Sequence, residues 1–164
     1  MGADVLNVFG TSKLRRAASL KTEPAQFSVY NEEPFRHLLL TELKRSQRSG
    51  HSFQVLLVYR EDKEGVVASM DSYGAAVVLN GLWRCIRETD YIGWYRQGHV
   101  LGGVLTVVGR ESVADVNDRV QSRLWQTLHA ELSAEECRCI RIRVCQPHEI
   151  EGIIVRGGSA FIAN

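Results

Sequence analysis

Proline is scarce in this chain, three residues in 164, and cysteine is limited to four. The cysteines, Cys85, Cys137, Cys139 and Cys145, are not spaced as the disulfide framework of a small secreted domain. Free, mostly buried thiols in a reducing cytoplasm are therefore expected. No apolar run approaches the roughly 18 residues that a membrane span needs. The start, Met1 to Leu14, has no basic stretch followed by a long apolar one, so no signal peptide is expected. Neither sign of charge dominates: 20 Lys and Arg stand against 19 Asp and Glu, for a net +1. That balance argues against a protein devoted to nucleic acid or to a membrane surface, though not against a local basic patch. What is present, 45% hydrophobic and 24% charged residues, is a globular composition. The length suits one domain with its own core.

Residues 1–30 lack sustained periodicity and read as an N-terminal arm or linker; residues 31–164 read as the domain. Glu32, Glu33 and Pro34 open a helix, because acids and proline suit a first turn. Phe35, Leu38, Leu39 and Leu43 recur at three- and four-residue spacing, and Ser49-Gly50-His51 ends the stripe. Phe53 to Tyr59 is a short β-rich run fit for a central strand, followed by a polar loop from Arg60 to Gly65. A second helix is expected over about Ser72 to Arg87, with Val77, Val78, Leu82, Trp83 and Ile86 inward. Asp90 to Tyr95 and Val100 to Val108 read as a hairpin, with Tyr91 and Trp94 facing away from Ile92 and Tyr95. A third helix is expected over about Ser112 to Leu132, a strand over Cys137 to Cys145, and an edge strand around Gly152 to Val155. This order predicts an α+β chain of ferredoxin-like β-α-β-β-α-β form, an antiparallel sheet with helices on one face.

Several strings in that order resemble the GGDEF domains of diguanylate cyclases, a nucleotide-cyclase type of fold. Tyr30-Asn31-Glu32-Glu33-Pro34-Phe35, then Leu39, Glu42-Leu43, Arg45, Arg48-Ser49-Gly50 and the strand Val55 to Val58 are similar to the family's opening helix and first strand. Arg87 to Tyr95 is similar to the segment leading into its signature hairpin. The resemblance covers about Tyr30 to Cys145.

The resemblance implies two-metal phosphoryl transfer, which needs carboxylates to hold Mg²⁺ against the triphosphate. The family's first acid, at the end of the first strand, aligns with Tyr59. Its second lies in the hairpin, which here reads Arg96-Gln97-Gly98-His99-Val100 and contains no acid. The paired glycines of the signature are replaced by Arg96 and Gln97, and the nucleotide loop is shorter than usual. The expectation is therefore no catalytic residue, no metal, no cofactor and no enzyme activity.

The resemblance also implies an inhibitory Arg-x-x-Asp site for cyclic di-GMP, found here as Arg87-Glu88-Thr89-Asp90. Arg offers a planar fork to guanine or phosphate, and Asp accepts from guanine N–H groups. Arg119 and Arg123, four apart on the third helix, are candidates to complete it. The same pair also reads as structural, with Arg87 at a helix C-terminus and Asp90 in a turn. Weaker constellations are Cys137, Cys139, Cys145 and His148 as zinc ligands, His99 as a base, and Arg141 with Arg143 as an anion patch. Thiols two apart on a strand lie about 7 Å apart, too far for a compact zinc site. The expected function is an inactive regulatory domain of a bacterial cytoplasm that binds cyclic di-GMP, in a setting such as exopolysaccharide control. The alternative is a protein-interaction or dimerisation module with no nucleotide ligand.

Overall fold

The computed structural model of this chain describes residues 28–106 and 112–150. The expected arm and the expected edge strand at residues 152–155 lie outside them, apart from residues 28–30. In chain order the elements are β1 (Val29–Tyr30), α1 (Glu32–Ser49), β2 (Phe53–Glu61), β3 (Val67–Ala68) and α2 (Ser72–Cys85). They continue with β4 (Tyr91–Arg96), β5 (Val100–Thr106), α3 (Val113–Glu131), α4 (Ala134–Cys139) and β6 (Ile140–Cys145).

Local chemistry sets the helix boundaries. Gly50 closes α1 in the left-handed region, φ 68°, and its N–H bonds to the Ser46 carbonyl. Asp71 caps α2 by accepting from Gly74 N, and Ser112 caps α3 by accepting from Asp115 N. Ser133 forms a full capping box with Glu136, which nucleates α4. That box corrects one expectation. Cys137 and Cys139 lie on a helix, and the strand begins only at Ile140.

The sheet runs β1-β4-β5-β2, with β6 on the free edge of β2. β2 pairs antiparallel with β5 from Phe53 to Tyr59 and with β6 from Val55 to Arg60. Its seven residues Phe53 to Tyr59 are all buried, as befits a strand flanked and covered on both sides. β2, α2, β4, β5, α3 and β6 form the expected β-α-β-β-α-β core. β1 adds a short parallel strand beside β4, and β3 pairs with β2 at Arg60 and Glu61.

Each sheet face has its own core. On one, α2 and α3 pack Val78, Leu82, Leu124 and Leu128 over Leu56, Val58, Ile92 and Leu101. Helix α1, outside the repeat, covers the opposite face with Phe35, Leu39 and Leu43 against Val55, Leu57, Tyr95 and Val104. Two cross-strand glycines make room for it: Gly93 pairs with Gly102. A Cβ would stand 2.5 Å from the Phe35 ring at Gly93 and 2.8 Å from it at Gly102. The expected grouping of Tyr91 with Trp94 does not hold. Trp94 packs with Ile92 on the α2–α3 side, and Tyr91 with Tyr95 on the α1 side. Period-two alternation makes residues two apart share a face, which the expectation misassigned.

Candidate functional site

Tyr59 ends the buried run of β2 opposite Val100, so strand pairing places it beside the β4–β5 hairpin. Its phenol is driven above the usual tyrosine range, chiefly by burial and then by nearby Glu61. The nearest acid on the same face is Glu61, whose Oε2 lies 2.8 Å from Arg141 Nε on β6. Arg141 also donates to the carbonyls of Arg138 and Ile140, at 2.6 and 3.0 Å. Asp62 is absorbed by its own turn, accepting from Glu64 N and Val66 N at 2.9 Å each.

The hairpin is held from below by α1. Gln97 N donates to Glu32 Oε2 at 2.7 Å, and Arg36 Nε donates to the Tyr95 carbonyl at 3.1 Å. The Arg36 guanidinium also lies over the Tyr95 ring, 5.2 Å from its centroid. Gly98, at φ 73°, forms the tip, and its carbonyl accepts from Met70 N. His99 Nδ1 stands 2.9 Å from the Gln97 carbonyl oxygen, which ties the ring to its own turn. These residues do not fit Mg²⁺: a buried phenol, an acid already paired with arginine and an acid-free hairpin offer no pair of carboxylates. Among the described residues no cluster of three or more His, Cys, Asp or Glu side chains could hold a metal. Cys137 and Cys139 sit on α4 while Cys145 is buried at the far end of β6.

The Arg87–Asp90 segment is a turn between α2 and β4, closed by Asp90 N donating to the Arg87 carbonyl at 3.0 Å. Arg87 is exposed and Asp90 half-buried. The Asp90 carboxylate is oriented from three directions. Oδ2 accepts from Arg87 N at 2.8 Å, and Oδ1 accepts from Thr106 N at 2.9 Å and Thr106 Oγ1 at 2.8 Å. Thr89 Oγ1 adds a 3.3 Å contact to Thr106 Oγ1. Thr106 is thus part of this site. Nothing in the sequence marked it, because its partner is 16 residues away and joined only by sheet pairing.

Helix α3 packs along α2 and carries Arg119 and Arg123 on successive turns, the first half-buried and the second exposed. Burial pushes the Cys85 thiol up to about 11 against the opposing pull of the Arg123 and Arg84 charges. Arg123 therefore stands near Cys85, the last residue of α2. Arg119 lies one turn earlier on the same helix.

No family model and no curated protein matches the sequence. Solved structures do. A DGC protein from Thermotoga maritima is 16% identical, with 83% of this chain and 97% of that one covered, at a TM-score of 0.54. The diguanylate cyclase SiaD of Pseudomonas aeruginosa, solved in complex with its activator SiaC, is 19% identical. There the match covers 82% of this chain and 55% of that one, at a TM-score of 0.49. The GGDEF domain of PA1120 (TpbB or YfiN), also from Pseudomonas aeruginosa, is 15% identical over 75% of this chain and 73% of its own, at 0.46. At such identities a likeness speaks for the fold alone, and the fold of this chain is that of a GGDEF-type diguanylate cyclase domain.

Proposed function

We propose that this chain is a catalytically inactive GGDEF-like regulatory domain that binds cyclic di-GMP at Arg87 and Asp90, with Arg119 and Arg123 contributing charge. The observation that carries the proposal is the β2–hairpin face. Where phosphoryl transfer needs acids, it offers the buried Tyr59, a Glu61 held by Arg141, and the sequence Arg96 to Val100. The ligand reading is supported by a turn that exposes Arg87 beside a carboxylate fixed in direction. Asp90 Oδ2, with a single accepted bond, keeps acceptor capacity for a guanine N–H. We place the domain in a bacterial cytoplasm, in a role such as control of exopolysaccharide output, which rests on resemblance.

Calorimetric titration with cyclic di-GMP tests this reading. The parent is expected to give saturable heat with a Kd on the order of tens of micromolar or tighter. Arg87→Ala is expected to abolish it and Arg123→Ala to weaken it. No heat from the parent refutes the ligand. One observation favours a second reading, a dimerisation or protein-interaction module with no nucleotide. The three bonds to Asp90 give its carboxylate a structural task that needs no ligand. On that reading the titration is silent and the chain elutes as a dimer or with a partner.

A further inference from the structure

Helices α2 and α3 pack antiparallel, and three contacts fix their register. Tyr73 Oη, near the start of α2, donates to the Glu131 carbonyl at the end of α3, at 3.0 Å. Gly81 comes so close to α3 that a Cβ there would stand 2.5 Å from Leu124 Cδ1 and 3.5 Å from Thr127 Cβ. Cys85 Sγ reaches the Val120 carbonyl at 3.6 Å. In this register Arg84 falls level with the stretch between Arg119 and Arg123. Arg84 follows Tyr73 by about three helical turns, so it lies on the side of α2 from which Tyr73 reaches α3. Arg119 and Arg123 precede Thr127 at four-residue spacing, on the side of α3 that meets Gly81. Arg84 and Arg123 are exposed, and neither guanidinium has a hydrogen bond or ion pair to another described residue. Asn80 and Thr127, their neighbours along these stripes, carry no charge.

We propose that this end of the α2–α3 seam is a phosphate subsite, in which Arg84 and Arg123 hold the phosphate oxygens and Arg119 adds charge. With cyclic di-GMP as its occupant the subsite rests on the function proposed above. It takes the phosphodiester while the Arg87–Asp90 turn, three residues beyond Arg84, takes a base. Charge selects the ligand class. Each guanidinium is a planar fork of N–H donors with no acceptor, which matches paired phosphate oxygens and repels a cation. The charges lie within about one helical turn, roughly 5 Å along the axis, which spans one or two phosphates. A nucleic-acid strand or an anionic membrane needs a longer track of charge. The Cys85 thiol feels both the Arg123 and the Arg84 charge, as the packing requires. Arg84 belongs to no motif, and only the helix pairing brings it level with Arg123. Its place in the last turn of α2 also suits the helix dipole, a task that needs no ligand.

Two probes are titrated by calorimetry into the full chain: cyclic di-GMP, and inorganic pyrophosphate, which has phosphates and no base. Arg84→Ala is expected to weaken cyclic di-GMP about five- to tenfold, the loss of one exposed charge-assisted hydrogen bond. Arg84→Lys keeps the charge without the fork and is expected to recover part of that loss. Pyrophosphate is expected to bind the parent with a Kd on the order of 1 mM, and to lose binding in Arg84→Ala and Arg123→Ala. Raising salt from about 0.05 to about 0.5 M is expected to weaken cyclic di-GMP less in Arg84→Ala than in the parent. Arg48→Ala, which removes a charge from α1, is expected to change neither affinity. Circular dichroism and thermal melts accompany each variant. A lower Tm in Arg84→Ala with both affinities unchanged would mean a helix-dipole role alone and overturns the proposal. Pyrophosphate binding that persists in both alanine variants also overturns it. Cyclic di-GMP heat that Arg84→Ala leaves intact refutes the seam and keeps the nucleotide. Arg84-dependent pyrophosphate binding with no cyclic di-GMP heat keeps the seam and refutes the nucleotide. Silence from both probes refutes both.

Discussion

Replacing Asp90 by alanine removes the acceptor of three hydrogen bonds, one that closes the α2–β4 turn from Arg87 N and two that join it to Thr106 at the end of β5. Bonds to a charged acceptor contribute about 1.5–3 kcal/mol when buried. Here the carboxylate is half-buried and its donors can turn to water, so about 1 kcal/mol each is the better figure. Asp90→Ala should therefore cost about 2–3 kcal/mol and lower Tm by about 5–10 °C for a chain of this size. Asp90→Asn separates the contributions. Its amide oxygen keeps both Thr106 bonds, while its NH₂ faces the Arg87 N–H and loses that one, a loss of about 1 kcal/mol. Urea unfolding of the parent and both variants gives these values directly. An Asp90→Ala loss below about 0.5 kcal/mol would refute the argument that the carboxylate is a structural staple. Read with ligand titration, the pair is more telling still. If Asp90→Asn keeps the fold and loses cyclic di-GMP, the second oxygen serves the ligand.

Gly93→Ala should destabilise by about 3 kcal/mol or more, because its methyl meets the Phe35 ring at 2.5 Å in a core with little room to shift; thermal melts check it. Ser133→Ala should cost about 1 kcal/mol and fray α4, visible as faster amide exchange at Cys137, whereas Ser133→Asp should retain the cap. Burial pushes the Cys85 and Cys145 thiols up to about 11 from an ordinary 9. At pH 8 they should alkylate with iodoacetamide about a hundredfold more slowly than an unfolded control. The sign for stability follows. The folded state holds these protons more tightly, so their contribution is intact below pH 9 and is lost between about 9 and 11. Stability unchanged across that window would contradict the burial.

Elements with a strong local signal were legible in the sequence. The α1 stripe from Phe35 to Leu43, the apolar run of β2 and the caps at Ser112 and Gly50 each depend on neighbours within a turn or two. β1 and β3 are two residues each, and pairing with β4 and β2 defines them, so no periodicity exists to find. α4 hides for a different reason: the alternation of Ile140, Ile142 and Val144 continues in appearance back over Cys137, and only the Ser133–Glu136 capping-box signature marks the helix. At the candidate site, Arg87 and Asp90 stood out by spacing. Their chemistry was not legible, because the task of Asp90 depends on Thr106, which only the β4–β5 pairing brings near.

Loss of the metal-binding acids is the central claim, and turnover tests it most directly. Pure protein is incubated with GTP and Mg²⁺ beside an active cyclase of the same fold, and cyclic dinucleotide is measured by chromatography. The structure around Tyr59, Glu61 and the Arg96–Val100 hairpin predicts no product above the protein-free blank. Product that accumulates in proportion to protein and vanishes with EDTA would mean that this face does hold a catalytic metal, and would contradict the account.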